Sequence, residues 1–155
     1  MTAPGYFAPG DDLPTFGQKV AGQHYQPRPG AYALIFQDPD LVALIQTIRG
    51  FFLPGGGAET GETPAETVQR EVLEECGCEI VTGAQLGLAV DYMFAENEAK
   101  YYEIQSVFLL ARLGKQLDTP GEADHQLVWL KVSQAHTLLN RPSQKWALQK
   151  ACASF

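Results

Sequence analysis

GGAETGETPAETVQREVLEECGC, residues 56–78, is the stretch on which the fold turns. It begins as a glycine-rich loop and passes into a helix. Thr63 fits the N-cap, and Pro64 fits the first helical position, where the missing N–H has no intrahelical partner to lose. Glu66 supplies the third-position acid of a capping box. The helix is predicted to run to about Cys76 and to stop at Gly77, which can adopt the left-handed conformation of a helix end. Ala65, Val68, Val72 and Cys76 recur at helical spacing and form a stripe for packing on a sheet.

The opposite side of this helix is acidic. Glu71, Glu74 and Glu75 are related by i, i+3 and i+4 spacing, so their carboxylates share one side, where like charges repel. Arg70 can pair with Glu74 but cannot neutralise three acids, and the end of a helix favours cations rather than the two acids placed there. Stability alone would not select this pattern. Clustered oxygen ligands are what a hard divalent cation requires, and magnesium combines a few carboxylates with phosphate oxygens of a substrate.

Upstream of the loop, residues 31–36 (AYALIF) and 41–48 (LVALIQTI) flank Asp-Pro-Asp and read as a hairpin. Both runs are nearly continuous in apolar residues, which predicts burial on both faces of a sheet. Residues 1–13 read as a loose lead-in, followed by a strand-like patch at 15–20. Downstream, strands are predicted near 79–81, 87–94, 102–112 and 127–132, and helices near 133–139 and 142–151. Strands interspersed with helices predict a single α/β domain over 1–155, a mixed sheet covered by helices.

The 155-residue chain has a formal net charge of -7. It has no basic stripe for long DNA or RNA, although a bound metal would let it accept a small anionic substrate. No stretch is long and apolar enough to span a membrane, and the amino terminus does not read as a secretory signal. Cys76, Cys78 and Cys152 have no metal-ligand spacing and read as thiols in a reducing cytoplasm.

Gly56, Glu62, Arg70, Glu71, Val72, Glu74, Glu75, Gly77 and Cys78 together match, in type and spacing, the signature of the Nudix hydrolase family. Only Cys78 departs, standing where a larger aliphatic residue is usual. A chance match in a chain this long is on the order of one in ten million from average residue usage. The flanks TFGQKV, RPGAYALIF, FFLPGGG, HQLVWL and KWAL also resemble bacterial Nudix proteins of unassigned substrate, over roughly residues 14–151. The resemblance implies an α/β/α sandwich and a pyrophosphohydrolase using magnesium, or manganese in its place. Its reaction would be attack of a metal-activated water on phosphorus of a nucleoside diphosphate linked to a group X. Glu71, Glu74 and Glu75 would be metal ligands, with a backbone carbonyl of the glycine run, Gly55, completing the set. Glu62 would steady a bound water or a ligand, and Arg70 would orient a glutamate.

The general base varies within the family. Glu75 is one candidate; Glu122 is another, with Asp124 as its runner-up in GEADHQLVWL. Nucleoside triphosphates or related small nucleotides are the favoured substrates, because the chain adds no substrate domain, and homodimers are common in the family. The alternative is a non-catalytic nucleotide-binding or regulatory module on the same fold, which would be expected to lack one or more motif glutamates; none is missing. His24, His125 and His136 are scattered and read as structural or surface residues. Trp129 and Trp146 read as core. Tyr32, Tyr92, Phe94, Tyr101 and Tyr102 are the pool from which a base-stacking residue would come.

Overall fold

The computed structural model describes residues 13–117 and 121–154. Apart from Leu13, the lead-in lies outside the described residues. The elements run β1 (Thr15–Phe16), β2 (Tyr25–Asp38), β3 (Leu41–Thr47), β4 (Gly50–Phe52), β5 (Gly55–Gly57), α1 (Pro64–Cys76), β6 (Cys78–Ala95), β7 (Lys100–Gln116), β8 (Gln126–Lys131), α2 (Val132–Leu138) and α3 (Pro142–Cys152). The strands form a mixed sheet in the order β1-β6-β7-β2-β3-β4, with β5 added to β2 and β8 to β3. The β1–β6 and β2–β7 pairs are parallel.

Both faces of this sheet are covered, as the apolar runs require. Side chains alternate across a strand. Along β2, Ala31, Ala33 and Ile35 pack on the side of Val68 and Val72 from α1. Tyr32 and Leu34 point the other way, against Ala135 of α2 and Ala147 and Leu148 of α3. The result is the expected α/β/α arrangement, with a core on each side. Trp129 packs against the first core and Trp146 against the second.

The capping chemistry of α1 is realised in full. The Thr63 side chain accepts from the Glu66 N–H at 3.2 Å, and the Glu66 carboxylate accepts from the Thr63 N–H at 3.0 Å. At the other end Gly77 adopts φ 69°, and its N–H reaches the Leu73 carbonyl at 2.9 Å. Helix α3 has no side-chain cap of its own. Its first turn is held from the sheet instead: buried Asp91 of β6 accepts from the Ser143 N–H at 3.2 Å and from the Ser143 hydroxyl. A carboxylate at a helix N-terminus is favoured by the helix dipole, so this contact orients α3 as well as fastening it.

The structure differs from the sequence reading in several places, among them β4, which was not expected, and β2, which begins at Tyr25. The two strands expected at 79–81 and 87–94 are one, β6. Its register shifts between Thr82 and Gln85 and again between Gln85 and Gly87, so bulges carry the pairing across a polar, glycine-containing segment that breaks the alternation. The patch expected at 15–20 is only the two-residue β1. The glycine run, read as loop, includes β5, in which Gly55, Gly56 and Gly57 pair with Tyr32, Ala31 and Gly30. No described helix is long and apolar enough to cross a membrane.

Because the N-cap bond is formed, Thr63→Ala should lower stability by about 1 kcal/mol. Urea denaturation followed by circular dichroism measures this; an unchanged midpoint would mean the cap contributes nothing.

Candidate active site

The acidic face of α1 meets β5 along one wall of a cleft of about 580 Å³. Glu71, Glu75, Gly55 and Gly56 all line it. Gly56 leaves room for the Glu71 carboxylate in its present position. A Cβ on it would sit 2.5–2.7 Å from the Glu71 carboxyl group, so the absent side chain is the space that the carboxylate fills. Gly55 has φ 141°, and a Cβ there would collide with the Ala31 carbonyl of β2.

The three helix glutamates occupy different surroundings. Glu75 is only 7% exposed and accepts from the Gly55 N–H at 3.0 Å. Burial pushes its carboxyl up to about 9, and Glu71, Glu122 and Glu74 reinforce the shift by like-charge repulsion. Burial also raises Glu71, against the pull of Arg70. Glu74 is half exposed and lies beside the cleft rather than on its wall.

Arg70 organises the cluster, but its main partner is not the one expected from helical spacing. Its Nε and Nη2 donate to both oxygens of Glu62, at 2.6 and 3.0 Å. Its Nη1 donates to Glu71 at 3.0 Å, while Glu74 stands at 3.4 Å, and Nη2 also reaches the Gly57 carbonyl at 2.9 Å. Glu62, held down at about 2 by the Arg70 side chain, uses both oxygens on this clamp. It therefore touches the acid cluster through Arg70 and is not itself turned to the cleft. Gly77 sets the end of the helix, and Cys78 beyond it is buried among Ile80 and Val90, taking the apolar place that its motif position asks for.

The segment before β8 folds back on the end of α1. The Glu122 N–H donates to the Glu74 carbonyl at 3.0 Å, satisfying one of the carbonyls a helix end leaves open. A Cβ on Gly121 would collide with the backbone of Glu75, so this approach also needs a glycine. Glu122 is thereby brought near Glu75, but Asp124 is the acid of the two that lines the cleft. His125, set aside in the sequence, lies between them. Its Nδ1 is 3.0 Å from Glu122 and 3.1 Å from Asp124, and the ring lines the cleft. Only the tertiary fold brings it there.

The far wall was not legible at all. Arg28, Arg49, Arg141 and Phe52 line it, with Ile45, Ile48 and Ile104. Of the five candidate stacking residues, Tyr32 alone lines this cleft, where Arg141 donates to its hydroxyl at 2.8 Å. Tyr92 and Tyr101 pack around Tyr25 instead.

An all-oxygen donor set, with one carboxylate buried against a backbone N–H and two more carboxyl groups close by, fits a hard divalent cation. Arg70 is the only cation paired with these acids among the described residues, and it is already engaged by Glu62. Comparison with known proteins bears on the fold and the family. The NUDIX domain model matches residues 26–150. A NUDIX hydrolase from Nitrosomonas europaea superposes with a TM-score of 0.68 at 19% identity, over 83% of this chain and 90% of that one. A MutT NUDIX hydrolase from Burkholderia pseudomallei gives 0.59 at 25%, over 81% and 98%. An ADP-ribose pyrophosphatase from Streptococcus suis gives 0.58 at 20%, over 81% and 92%. No curated protein matches the sequence.

A carboxyl raised from the ordinary value of 4.5 to about 9 in the fold binds its proton more tightly folded than unfolded. Without metal, its contribution is therefore present at low pH and is lost as pH rises through that window. Glu75→Gln keeps the oxygen that accepts from Gly55 and removes the titration. At pH 8 in a chelator, the variant should be more stable than the wild type by on the order of 1 kcal/mol or more. The advantage should shrink toward pH 5. Thermal melts at the two pH values test this, and an equal or lower melting temperature at pH 8 would contradict it.

Proposed function

The chain belongs to the NUDIX family and is a pyrophosphohydrolase, and from that premise we propose a magnesium-dependent enzyme acting on a nucleoside diphosphate linked to a group X. The observation that carries the reading is the cleft wall on which Glu71 and buried Glu75 converge, Glu71 sharing Arg70 with Glu62 and Glu75 having no ion pair among the described residues. Glu71, Glu74 and Glu75 would hold the metal, and the Gly55 carbonyl would complete the set. Bound there, magnesium supplies charge neutralisation on phosphate oxygens and a lowered pKa for water.

The chain's own residues would supply position and proton transfer. Arg70 fixes the Glu71 carboxylate by a charge-assisted bond, which limits the orientations a ligand could sample. The Gly55 N–H fixes one oxygen of Glu75 and leaves the other for coordination. Glu122 or Asp124 would accept the proton from the attacking water. Proximity to Glu75 favours Glu122, and position on the cleft wall favours Asp124. Tyr32 and Phe52, which both line the cleft, are the rings open to a base or sugar.

Small nucleotides, nucleoside triphosphates first, suit a cleft of this volume. Known relatives of similar fold include both a MutT hydrolase and an ADP-ribose pyrophosphatase, so fold alone does not choose X. The binding-module alternative gains nothing here, since every motif glutamate is present.

A phosphate-release screen with coupling enzymes should give metal-dependent signal on at least one of nucleoside triphosphates, oxidised triphosphates, ADP-ribose, nucleotide sugars or dinucleoside polyphosphates. Glu75→Gln should reduce that signal by at least about a hundredfold, more than the loss typical of groups that only support a ligand. Near wild-type turnover at saturating magnesium would remove Glu75 from the metal site.

A further inference from the structure

The cleft is lined by charges of both signs, the glutamates of α1 and a set of arginines. The protein contains five arginines, at 28, 49, 70, 112 and 141, in a chain of formal net charge -7. Three of them, Arg28, Arg49 and Arg141, line this cleft together with Glu71 and Glu75. They come from β2, from the β3–β4 turn and from the segment between α2 and α3, so no local sequence pattern accounts for their meeting. The same three, with Ile104, also line an adjoining cavity of about 400 Å³. The binding space thus runs from the glutamates past the arginines and into a second chamber.

The internal partners of these cations leave charge to spare. Among the described residues, Arg141 hydrogen-bonds a neutral oxygen, the Tyr32 hydroxyl, lies 5.8 and 5.5 Å from the Tyr32 and Phe52 ring centres, and acts on buried Asp91 through charge alone. Arg28 lies over the Tyr102 ring at 4.4 Å and has one long ion pair, 4.0 Å, with Glu98. Among the described residues, the Arg49 side chain has no hydrogen bond or ion pair. Its backbone is fixed, because the Asn140 side chain donates to the Arg49 carbonyl at 2.8 Å, next in sequence to Arg141. Glu96 and Glu98 are the acids facing this chamber. Three guanidinium groups brought together repel each other, and an anion between them relieves that repulsion.

We propose that the substrate carries an anion in addition to its scissile pyrophosphate, a phosphate or a carboxylate, and that Arg28, Arg49 and Arg141 bind it. This rests on the pyrophosphohydrolase reading and narrows its group X. Guanidinium planes match both anions through paired N–H donors. The terminal phosphate of a nucleoside triphosphate meets the requirement; an uncharged sugar on a nucleoside diphosphate does not.

The test uses matched pairs that differ by one anion: UDP-glucose with UDP-glucuronate for a carboxylate, and NADH with NADPH for a phosphate. In at least one pair, kcat/KM should favour the more anionic member about tenfold or more, as expected for a bond to a charged group. The Arg28→Ala/Arg49→Ala variant, checked for folding by its thermal melt, should bring that ratio close to one. A wild-type ratio near one in both pairs, or a ratio unchanged in the variant, overturns the proposal. If neither pair is turned over, calorimetric titration of tripolyphosphate into the metal-free protein decides. Binding that the double variant loses supports the arginine site even where the hydrolytic reading has failed. No wild-type binding, or equal binding by the variant, overturns it.

Discussion

One guanidinium makes the acidic corner of this protein tenable. Arg70 grips both oxygens of Glu62, one oxygen of Glu71 and the carbonyl of Gly57. It therefore ties the glycine-rich loop, the capping region and the middle of α1 into one unit. Without it, helix and loop would present acids to each other across a short gap. With it, the repulsion is displaced toward the cleft, where Glu75 is left buried and, among the described residues, without a cation. The arrangement concentrates the unfavourable electrostatics at the one place where a ligand can relieve it.

The rest of the fold sets the distance between this corner and its opposite. The long β2 strand pairs with β7, β5 and β3, and its Arg28, Pro29, Gly30 and Tyr32 line the cleft. The acids sit on its β5 side and the arginines reach in from its own amino-terminal half, from the β3–β4 turn and from the start of α3. Core packing on both faces leaves the strand little freedom to shift. Acids and arginines are consequently positioned by one hydrogen-bonded strand, which would suit the multiply charged small molecule proposed above.

The sequence showed α1, its caps, the hairpin and the two covered faces because each is written in local pattern: a capping box, a turn dipeptide, a run of apolar residues. It also brought Glu71 and Glu75 to attention through their spacing. What it hid depends on tertiary approach. The bulged middle of β6 breaks the alternation that marks a strand. Strand β5 is only glycines, which carry no strand preference. The clamp of Arg70 on Glu62 spans a loop whose path sequence does not fix, and His125, Arg28, Arg49 and Arg141 are ordinary surface residues until the sheet gathers them.

The pairing of β8 with β3 has a further consequence for how the molecule comes into being. Leu41 lies beside Lys131 and Gln46 beside Gln126, so strands from opposite halves of the chain are neighbours. Such distant pairings form late, since a long loop must close before they are rewarded. The segment that delivers Asp124 and His125 leads directly into β8, and Arg141 follows α2. During synthesis the acidic helix is therefore complete long before the cleft it faces, and a nascent chain exposes its glutamates to solvent cations well before it has anywhere to put a nucleotide.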